Sequence, residues 1–361
     1  MREPTRGDVT PEDVAGVVRA AFGSGRGPVR VDRLRGGSKK GVYRLTFGDA
    51  SSAVLYSWAA SENYWPERAG SPDGREDHED PFSDATGHDL FVAAHRALTD
   101  LGARAPRIHL ADDSGELFPA DFALVEDLRG ETLDDLLDRD RDAAGDVMAR
   151  LGEMLTVLHG SRSPVLGKVA VVASGDGAAS GDGAVASGDG AGPGDGVSSA
   201  DRTAERAVLD RVVRDLAEGA ALDPRLAELR GPLAEVAAEL AGAVVPRGTY
   251  GLIHGELGPD HVLIDPKGRP VLIDIEGLMY FDVEWEHVFL RLRFGESYPA
   301  LHRPGLDEDR LRFYRFAQHL SLVAGPLRIL QGDFPDRAFM RGLVEEHLHH
   351  TRAFLTPRGT D

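Results

Sequence analysis

Hydrophobic and polar positions alternate between residues 29 and 58 in the manner of β-strands. Apolar residues recur along three short runs, Val29–Leu34, Val42–Phe47 and Ala53–Trp58. Glycine and charged residues separate these runs at 35–41 and again at 48–50, as in the turns of hairpins. The pattern predicts an antiparallel meander near the amino terminus.

Two further strands are predicted at Pro106–Leu110 and Phe122–Val125, and beyond them the pattern becomes mainly helical. A short strand–loop–strand unit interrupts the helical part at 252–274. A sheet-rich first part followed by a helix-rich part favours an α+β protein with two lobes. We place the lobes at residues 1–126 and 127–361.

Two segments with unusual composition interrupt the predicted lobes. Residues 59–88 are polar, acidic and rich in Gly, Pro and Asp, which predicts a long loop or mobile flap. Residues 173–200 repeat the pentad Ala-Ser-Gly-Asp-Gly at 173–177, 179–183 and 186–190. Such a composition buries too little apolar surface to offset the entropy of ordering, so we expect a flexible insert there.

The composition restricts the classes of partner and compartment. A net charge of −19 over 361 residues argues against binding to nucleic acid or to an anionic membrane surface. Cysteine is absent, which excludes disulfides, thiolate zinc sites and a thiol nucleophile. The chain has no apolar run of about 18 residues, and its amino terminus lacks the apolar stretch of a signal peptide. We therefore expect a cytoplasmic protein that does not span a membrane.

Charged and titratable residues near the carboxyl end allow two interpretations. The acidic balance mildly favours a cationic small-molecule substrate, and acids in this region are candidates for an acidic pocket that would receive it. Histidines at 347, 349 and 350 lie on a polar helical pattern, and we interpret them as a solvated face rather than a metal site. The candidate pocket acids are Asp307, Glu308, Asp309, Glu345 and Glu346.

Candidate chemistry is concentrated in the strand–loop–strand unit, which reads His254-Gly-Glu-Leu-Gly-Pro-Asp-His-Val-Leu-Ile-Asp265 and continues to Gly277. Glu256 follows one predicted strand and Asp274 ends another, and a hairpin turn between them brings such strand ends close together. Two carboxylates at one loop edge could combine a proton acceptor with a magnesium ligand. Acidic residues also end strands simply as turn formers, so spacing alone does not decide between a functional pair of carboxylates and two turn residues.

The same stretch resembles the catalytic loop and metal-binding segment of aminoglycoside phosphotransferases and related small-molecule kinases. Their usual form is His-Gly-Asp, a short gap to Asn, then Val-Leu and Ile-Asp. Further matches occur in the expected order. Leu34–Leu45 is similar to the phosphate-covering loop, Phe122–Leu133 to the hinge that binds adenine, and Leu155–Gly160 to the helix end before the catalytic lobe. The resemblance implies a two-lobed, protein-kinase-like fold.

The resemblance also implies roles for individual residues. Glu256 stands where the family has a catalytic aspartate, which orients the substrate hydroxyl and takes its proton. Asp274 stands at the magnesium-binding aspartate, and His261 takes the place of the second metal ligand, usually asparagine. Asp260, beside His261, is an alternative ligand. His254 is expected to be structural.

For the nucleotide, the resemblance places ATP between the lobes. Residues Gly36, Gly37, Ser38 and Lys39 of the glycine-rich loop would cover the phosphates, although the two glycines also suit a plain hairpin turn. Backbone groups of the hinge would contact adenine, and the hinge residues concerned are Glu126 and Leu128.

Three departures from the family pattern leave two functions open. Tyr56 stands where the family has a phosphate-pairing lysine, so Lys39 or Lys40 would have to supply that charge. Glu256 and His261 replace the usual aspartate and asparagine. The first hypothesis is an ATP-dependent O-phosphotransferase that acts, with Mg²⁺, on a small hydroxylated molecule. The alternative is a pseudokinase, a nucleotide-binding scaffold subunit without transfer activity.

Overall fold

The computed structural model describes residues 6–7, 9–34, 37–66, 80–174 and 203–356. Most of the predicted insert at 173–200 and the central part of the predicted flap at 59–88 lie outside the described residues, and for those parts flexibility stays a prediction. The described ends of the flap are packed. Phe82, for example, is buried in the hydrophobic core of the helical part.

The amino-terminal part is a five-stranded antiparallel sheet with strand order β1-β2-β3-β5-β4. Helix α1 (Ala15–Phe22) packs on one face and α2 (His88–Asp100) on the other. Alternation along the central strand explains both contacts, because Leu55 faces the core that contains α1 whereas Tyr56 faces the core that contains α2. The strands are β1 (Pro28–Arg33), β2 (Gly41–Phe47), β3 (Ser52–Ser57), β4 (Ile108–Asp112) and β5 (Phe122–Glu126).

The remainder is mostly helical, as its apolar spacing predicts. Helix α4 buries the side chains at 147, 151, 155 and 158 along one face. Helices α6, α9 and α10 form a second core that does not involve the amino-terminal sheet. The helices are α3 (Leu133–Arg139), α4 (Gly145–Gly160), α5 (Val169–Ser174), α6 (Ala204–Leu222), α7 (Pro224–Ala243), α8 (Val283–Phe294), α9 (Glu308–Ile329) and α10 (Arg337–Ala353).

Short strands embedded among the helices carry the motif loops. Strands β9 (Val262–Ile264) and β10 (Pro270–Leu272) form the predicted hairpin. Strand β8 (Tyr250–Ile253) pairs with β11 (Met279–Phe281) in a four-stranded sheet of order β6-β8-β11-β7. The loop after β8 therefore lies beside the loop after β10. The edge strands of this sheet are β6 (Arg162–Ser163) and β7 (Gly167–Lys168).

The α+β class and the sheet-first order agree with the sequence prediction. One interpretation needs correction, because His347 is buried between α9 and α10 rather than exposed on a solvated face. Its side chain faces α9, and the polar pattern of α10 did not reveal that this side of the helix is buried. Among the described helices, none has both the length and the low polarity of a transmembrane segment.

Candidate active site

Glu256 and Asp274 lie on the two neighbouring loops. Gly255 precedes Glu256 with φ of 92°, a conformation that glycine adopts without strain, and this turn leaves the Glu256 side chain exposed. Asp274 follows β10 with φ of 58°. A left-handed conformation is uncommon for a residue with a side chain and occurs frequently at functional sites.

Both carboxylates line a single cavity of about 310 Å³. Residues 37–40, in the loop before β2, line it from the amino-terminal sheet, and helices α6, α9 and α10 line it from the opposite side. The cavity thus brings together the glycine-rich loop and the two predicted site carboxylates.

A buried carboxylate behind the first loop fixes its backbone. Oε1 of Glu286, on α8, accepts hydrogen bonds from the backbone N–H groups of His254 at 2.9 Å and Gly255 at 3.1 Å. Its Oε2 lies 2.7 Å from Nε2 of His159. Burial acts to raise the pKa of Glu286, but the hydrogen bonds and the neighbouring His159 outweigh it and lower that pKa. The ionised carboxylate therefore braces the loop that carries Glu256.

The second loop is joined to the first through His254, which is buried as expected for a structural residue. Its Nε2 donates a hydrogen bond to the backbone carbonyl of Ile273 at 3.0 Å. Because Ile273 directly precedes Asp274, this bond fixes the relative position of the two loops. The sequence motif places these residues near one another in the chain, but the bond itself is apparent only in the structure.

Lys40 is the lysine that reaches the predicted metal-binding aspartate. Its Nζ lies 2.8 Å from Oδ1 of Asp274 and 2.5 Å from Oε1 of Glu276. The Lys40 ammonium holds the pKa of Asp274 well below its usual range. Burial disfavours the charged form of Lys40, yet the two carboxylates outweigh burial and raise its pKa. The other oxygen of Glu276 is buried without a hydrogen-bond partner among the described residues.

His261 faces Asp274, as its predicted place requires. Its Nδ1 lies 2.8 Å from the backbone carbonyl of Glu256, so Nδ1 carries the proton and donates it there. Nε2 is 3.7 Å from Oδ2 of Asp274 and also 3.7 Å from Oδ2 of Asp260. Asp260 in turn binds Arg293 at 2.7 Å. The alternative ligand is thus engaged by a cation of its own.

The residues predicted to cover the phosphates are only partly described. Gly36 lies outside the described residues, and Gly37 turns with φ of 79°. Ser38 accepts a hydrogen bond from the indole of Trp65 at 2.8 Å. Lys39 lies 3.2 Å from Asp84 at the cavity wall. Gly37, Ser38 and Lys39 all line the cavity.

The predicted hinge lies apart from this cavity, because neither Glu126 nor Leu128 lines it. The Glu126 carboxylate binds Arg104 at 2.9 Å and accepts the backbone N–H of Arg107 at 3.2 Å. The next side chain, Asp127, binds Arg44 at 2.8 Å. Among the described residues, the hinge therefore does not share this cavity with residues 37–40.

The helical wall of the cavity was missed by sequence reasoning. Arg211 and Ser321 join α6 to α9 through a 2.9 Å hydrogen bond, and Ser321 also donates to Asp215 at 2.6 Å. Lys168 donates to the backbone carbonyls of Ser83 at 2.7 Å and Asp84 at 2.9 Å, which fixes the end of the predicted flap against the wall. These residues come from distant parts of the chain and share no motif.

The predicted acidic pocket does not form in this cavity. None of its five candidate acids lines the cavity shared by Glu256 and Asp274. Glu345 instead binds Arg225 at 2.8 Å on the surface, and Asp307 caps α9. For this cavity the expectation does not hold, because an excess of acids along a sequence does not indicate which helix face is turned toward a cavity.

Comparison with protein-family profiles identifies a family for this chain. A family profile described as the phosphotransferase enzyme family, APH, matches residues 79–320. Comparison with curated proteins finds no match.

Solved structures resemble the chain over nearly its whole length. An aminoglycoside phosphotransferase APH(4)-Ia mutant, in a ternary complex with ADP and hygromycin B, is 15% identical with a TM-score of 0.58, over 93% of this chain and 98% of that one. Spectinomycin phosphotransferase APH(9)-Ia, in complex with ADP and spectinomycin, is 12% identical with a TM-score of 0.59, over 96% and 99%. Choline kinase LicA from Streptococcus pneumoniae is 13% identical with a TM-score of 0.54, over 94% and 97%. At these identities the likeness concerns the fold, and it confirms the kinase-like architecture.

Proposed function

The chain belongs to the phosphotransferase enzyme family, and from this premise we propose that it transfers a phosphoryl group from ATP to a hydroxyl group of a small molecule. One observation carries the proposal: Glu256, Asp274 and the loop 37–40 line the same cavity. The nucleotides and small acceptors named for its structural neighbours, ADP with hygromycin B or with spectinomycin, support the same class of reaction.

In this proposal Glu256 orients the acceptor hydroxyl and takes its proton. The exposed carboxylate at the cavity, on a loop braced by Glu286, supports this role. Phosphoryl transfer depends mainly on positioning and on neutralising charge, so a correctly placed base and a few cations are sufficient. Glutamate is one methylene longer than the usual aspartate, so its carboxylate reaches further from the backbone that Glu286 holds.

The phosphates would lie under the glycine-rich loop, against Gly36, Gly37, Ser38 and Lys39. The positive φ of Gly37 supports a close approach of the backbone to a ligand. Adenine would lie against the backbone of the hinge at Glu126 and Leu128. This placement rests on the family pattern.

The residues around Asp274 fit a magnesium ion in part. Its side chain is 47% exposed, and carboxylate oxygens are the donors that magnesium prefers. The partnerless oxygen of Glu276 offers a second hard donor. His261 offers a nitrogen, which suits manganese better than magnesium. When bound, the ion would neutralise charge on the phosphates.

The acceptor is proposed to be small and hydroxylated, without a requirement for positive charge. Acids in the helical wall are matched by cations, since Arg211 lies 3.5 Å from Asp215 and Arg328 lies 3.2 Å from Glu218. In the described part of this wall, these pairs leave no uncompensated cluster of acids that would select a cationic substrate.

Incubation of the purified chain with Mg·ATP and a panel of hydroxylated small molecules tests the proposal. Mass spectrometry should detect a phosphorylated product with the wild type and none with Asp274→Ala. Asp309→Ala, which changes an acid outside the cavity, is the matched control and should retain transfer. Undiminished product with Asp274→Ala would contradict the site assignment. Nucleotide binding without any product would favour the alternative scaffold function.

A further inference from the structure

Lys40 is a buried cation at the cavity that the proposed roles leave unused. Its side chain is 9% exposed, and an isolated ammonium at such a place would be costly. Asp274 and Glu276 balance that cost, because each lies within hydrogen-bond distance of Nζ. Asp274 and Glu276, in the segment that would bind the metal, therefore fix the position of the Lys40 ammonium in the cavity wall.

Two glycines direct this lysine inward. A Cβ atom on Gly37 would lie 2.8 Å from the carbonyl oxygen of Lys40, and a Cβ atom on Gly41 would lie 2.7 Å from the carboxyl carbon of Glu62. Glycine therefore suits both positions, Gly37 because of its positive φ and its approach to the Lys40 carbonyl, and Gly41 because of its close approach to Tyr43 and Glu62. The adjacent Lys39 lies beside Asp84 at the cavity wall instead.

The ammonium of Lys40 lies close to a side chain of strand β3. Val42 pairs with Tyr56 across β2 and β3, and Nζ of Lys40 is 5.0 Å from the centre of the Tyr56 ring. Burial raises the pKa of Tyr56 to about 12, so the strand side chain is neutral. The lysine of the loop therefore brings to this face of the sheet a positive charge that the strand itself lacks.

We propose that Lys40 binds the phosphates of the nucleotide, and that its contacts with Asp274 and Glu276 hold the ammonium in place before the nucleotide arrives. The inference rests on the proposed function, because it requires a nucleotide in this cavity. A charged hydrogen bond to phosphate is strong and specific for the anionic part of the ligand. Loss of Lys40 should therefore weaken the binding of a nucleotide but not the binding of its nucleoside, which lacks phosphates.

Isothermal titration calorimetry with ADP and with adenosine tests the inference without any transfer reaction. Lys40→Met should weaken ADP binding by about 10- to 100-fold, while adenosine binding changes by less than about threefold. Lys267→Met removes an exposed lysine of the β9–β10 turn and should leave both affinities unchanged. Lys39→Met should weaken ADP binding less than Lys40→Met.

A rescue variant separates charge from packing. Adding Tyr56→Lys to Lys40→Met returns an ammonium to the same region from β3, and ADP binding should recover to within about threefold of the wild type. If Lys40→Met does not fold, Glu276→Gln alone is compared with Glu276→Gln plus Lys40→Met. That pair leaves no unpartnered carboxylate at position 276. The ratio of the two ADP affinities then measures the contribution of Lys40 to ADP binding.

The outcomes distinguish this inference from the proposed function. A wild type that binds neither ADP nor adenosine overturns the proposed function and the role of Lys40 with it. A wild type that prefers ADP, together with Lys40→Met or its paired variant preferring ADP equally, overturns the role of Lys40 alone. Loss confined to ADP, with rescue by Tyr56→Lys, supports it.

Discussion

The Nδ1 atoms of His319 and His347 lie 2.9 Å apart between α9 and α10. Such a contact requires one Nδ1 to carry a proton and the other to accept it, so the two rings cannot both be positively charged. Burial, together with the neighbouring His347, His350 and Arg315, lowers the pKa of His319 to about 3. Burial also lowers the pKa of His347, against the raising effect of Glu346.

These shifts predict acid sensitivity of the fold. Between the ordinary histidine pKa near 6.5 and about 3, the unfolded chain binds a proton that folded His319 does not. Stability is therefore highest above about pH 6.5 and falls with decreasing pH, by at most about 1.4 kcal/mol per pH unit for each such histidine. His319→Gln should reduce the difference between urea midpoints measured at pH 7.5 and pH 5.

His349→Gln provides the control, because that histidine is exposed on α10, the helix that carries the buried His347. It should leave the acid sensitivity unchanged. Equal loss of stability on acidification in the wild type and in His319→Gln would contradict the assignment.

The brace behind the catalytic loop predicts a large effect at Glu286. Replacing it by alanine removes the acceptor of two buried N–H groups and the partner of His159, which should cost about 3 to 5 kcal/mol. Glu286→Gln should cost less, because an amide oxygen still accepts the N–H groups of His254 and Gly255. Chemical denaturation measures the difference, and the exposed Glu235→Ala, on α7, should change stability by less than about 0.5 kcal/mol.

A wild-type denaturation midpoint in Glu286→Ala would show that the carboxylate is not a structural brace. A fall in stability without any fall in transfer, under conditions where the variant is folded, would separate the brace from the chemistry at Glu256.

Much of the fold follows from local pattern. The alternation that predicts β2 and β3 also determines which side chains enter each core, because successive strand residues face opposite sides. Glu256 and Asp274 were predicted to be neighbours because the hairpin between β9 and β10 has clear strand and turn signals. Those signals act over a few residues, and so they are visible in the sequence.

The orientation of Lys40 could not be predicted in the same way. Two adjacent lysines in a glycine-rich loop are equivalent by local pattern, and what distinguishes Lys40 is its contact with Asp274 and Glu276, which are far away in the chain. The helical wall was hidden for a similar reason, since Arg211 meets Ser321 only after α6 and α9 have packed. Contacts between residues far apart in the chain leave no periodic signal.

The identity of residue 261 predicts a metal preference. An imidazole is a softer donor than an amide oxygen, so the site should favour manganese over magnesium relative to a site with asparagine. His261→Asn should raise magnesium-supported transfer relative to manganese-supported transfer. Initial rates at saturating ATP with each ion give the ratio. His302→Asn, at an exposed position outside the cavity, should leave the ratio unchanged, and an unchanged ratio in His261→Asn would remove this residue from the metal site.

The proposed base predicts opposite outcomes for two substitutions at one position. Glu256→Ala removes the proton acceptor and should lower the rate of transfer by about 100- to 10,000-fold. Glu256→Asp restores the side chain usual in the family and should retain or increase the rate, because the backbone held by Glu286 is the same in both. Nucleotide affinity should be unchanged in both variants, since Glu256 acts on the acceptor rather than on the phosphates. A wild-type rate in Glu256→Ala, with ADP affinity also intact, would mean that the hydroxyl is deprotonated without this carboxylate.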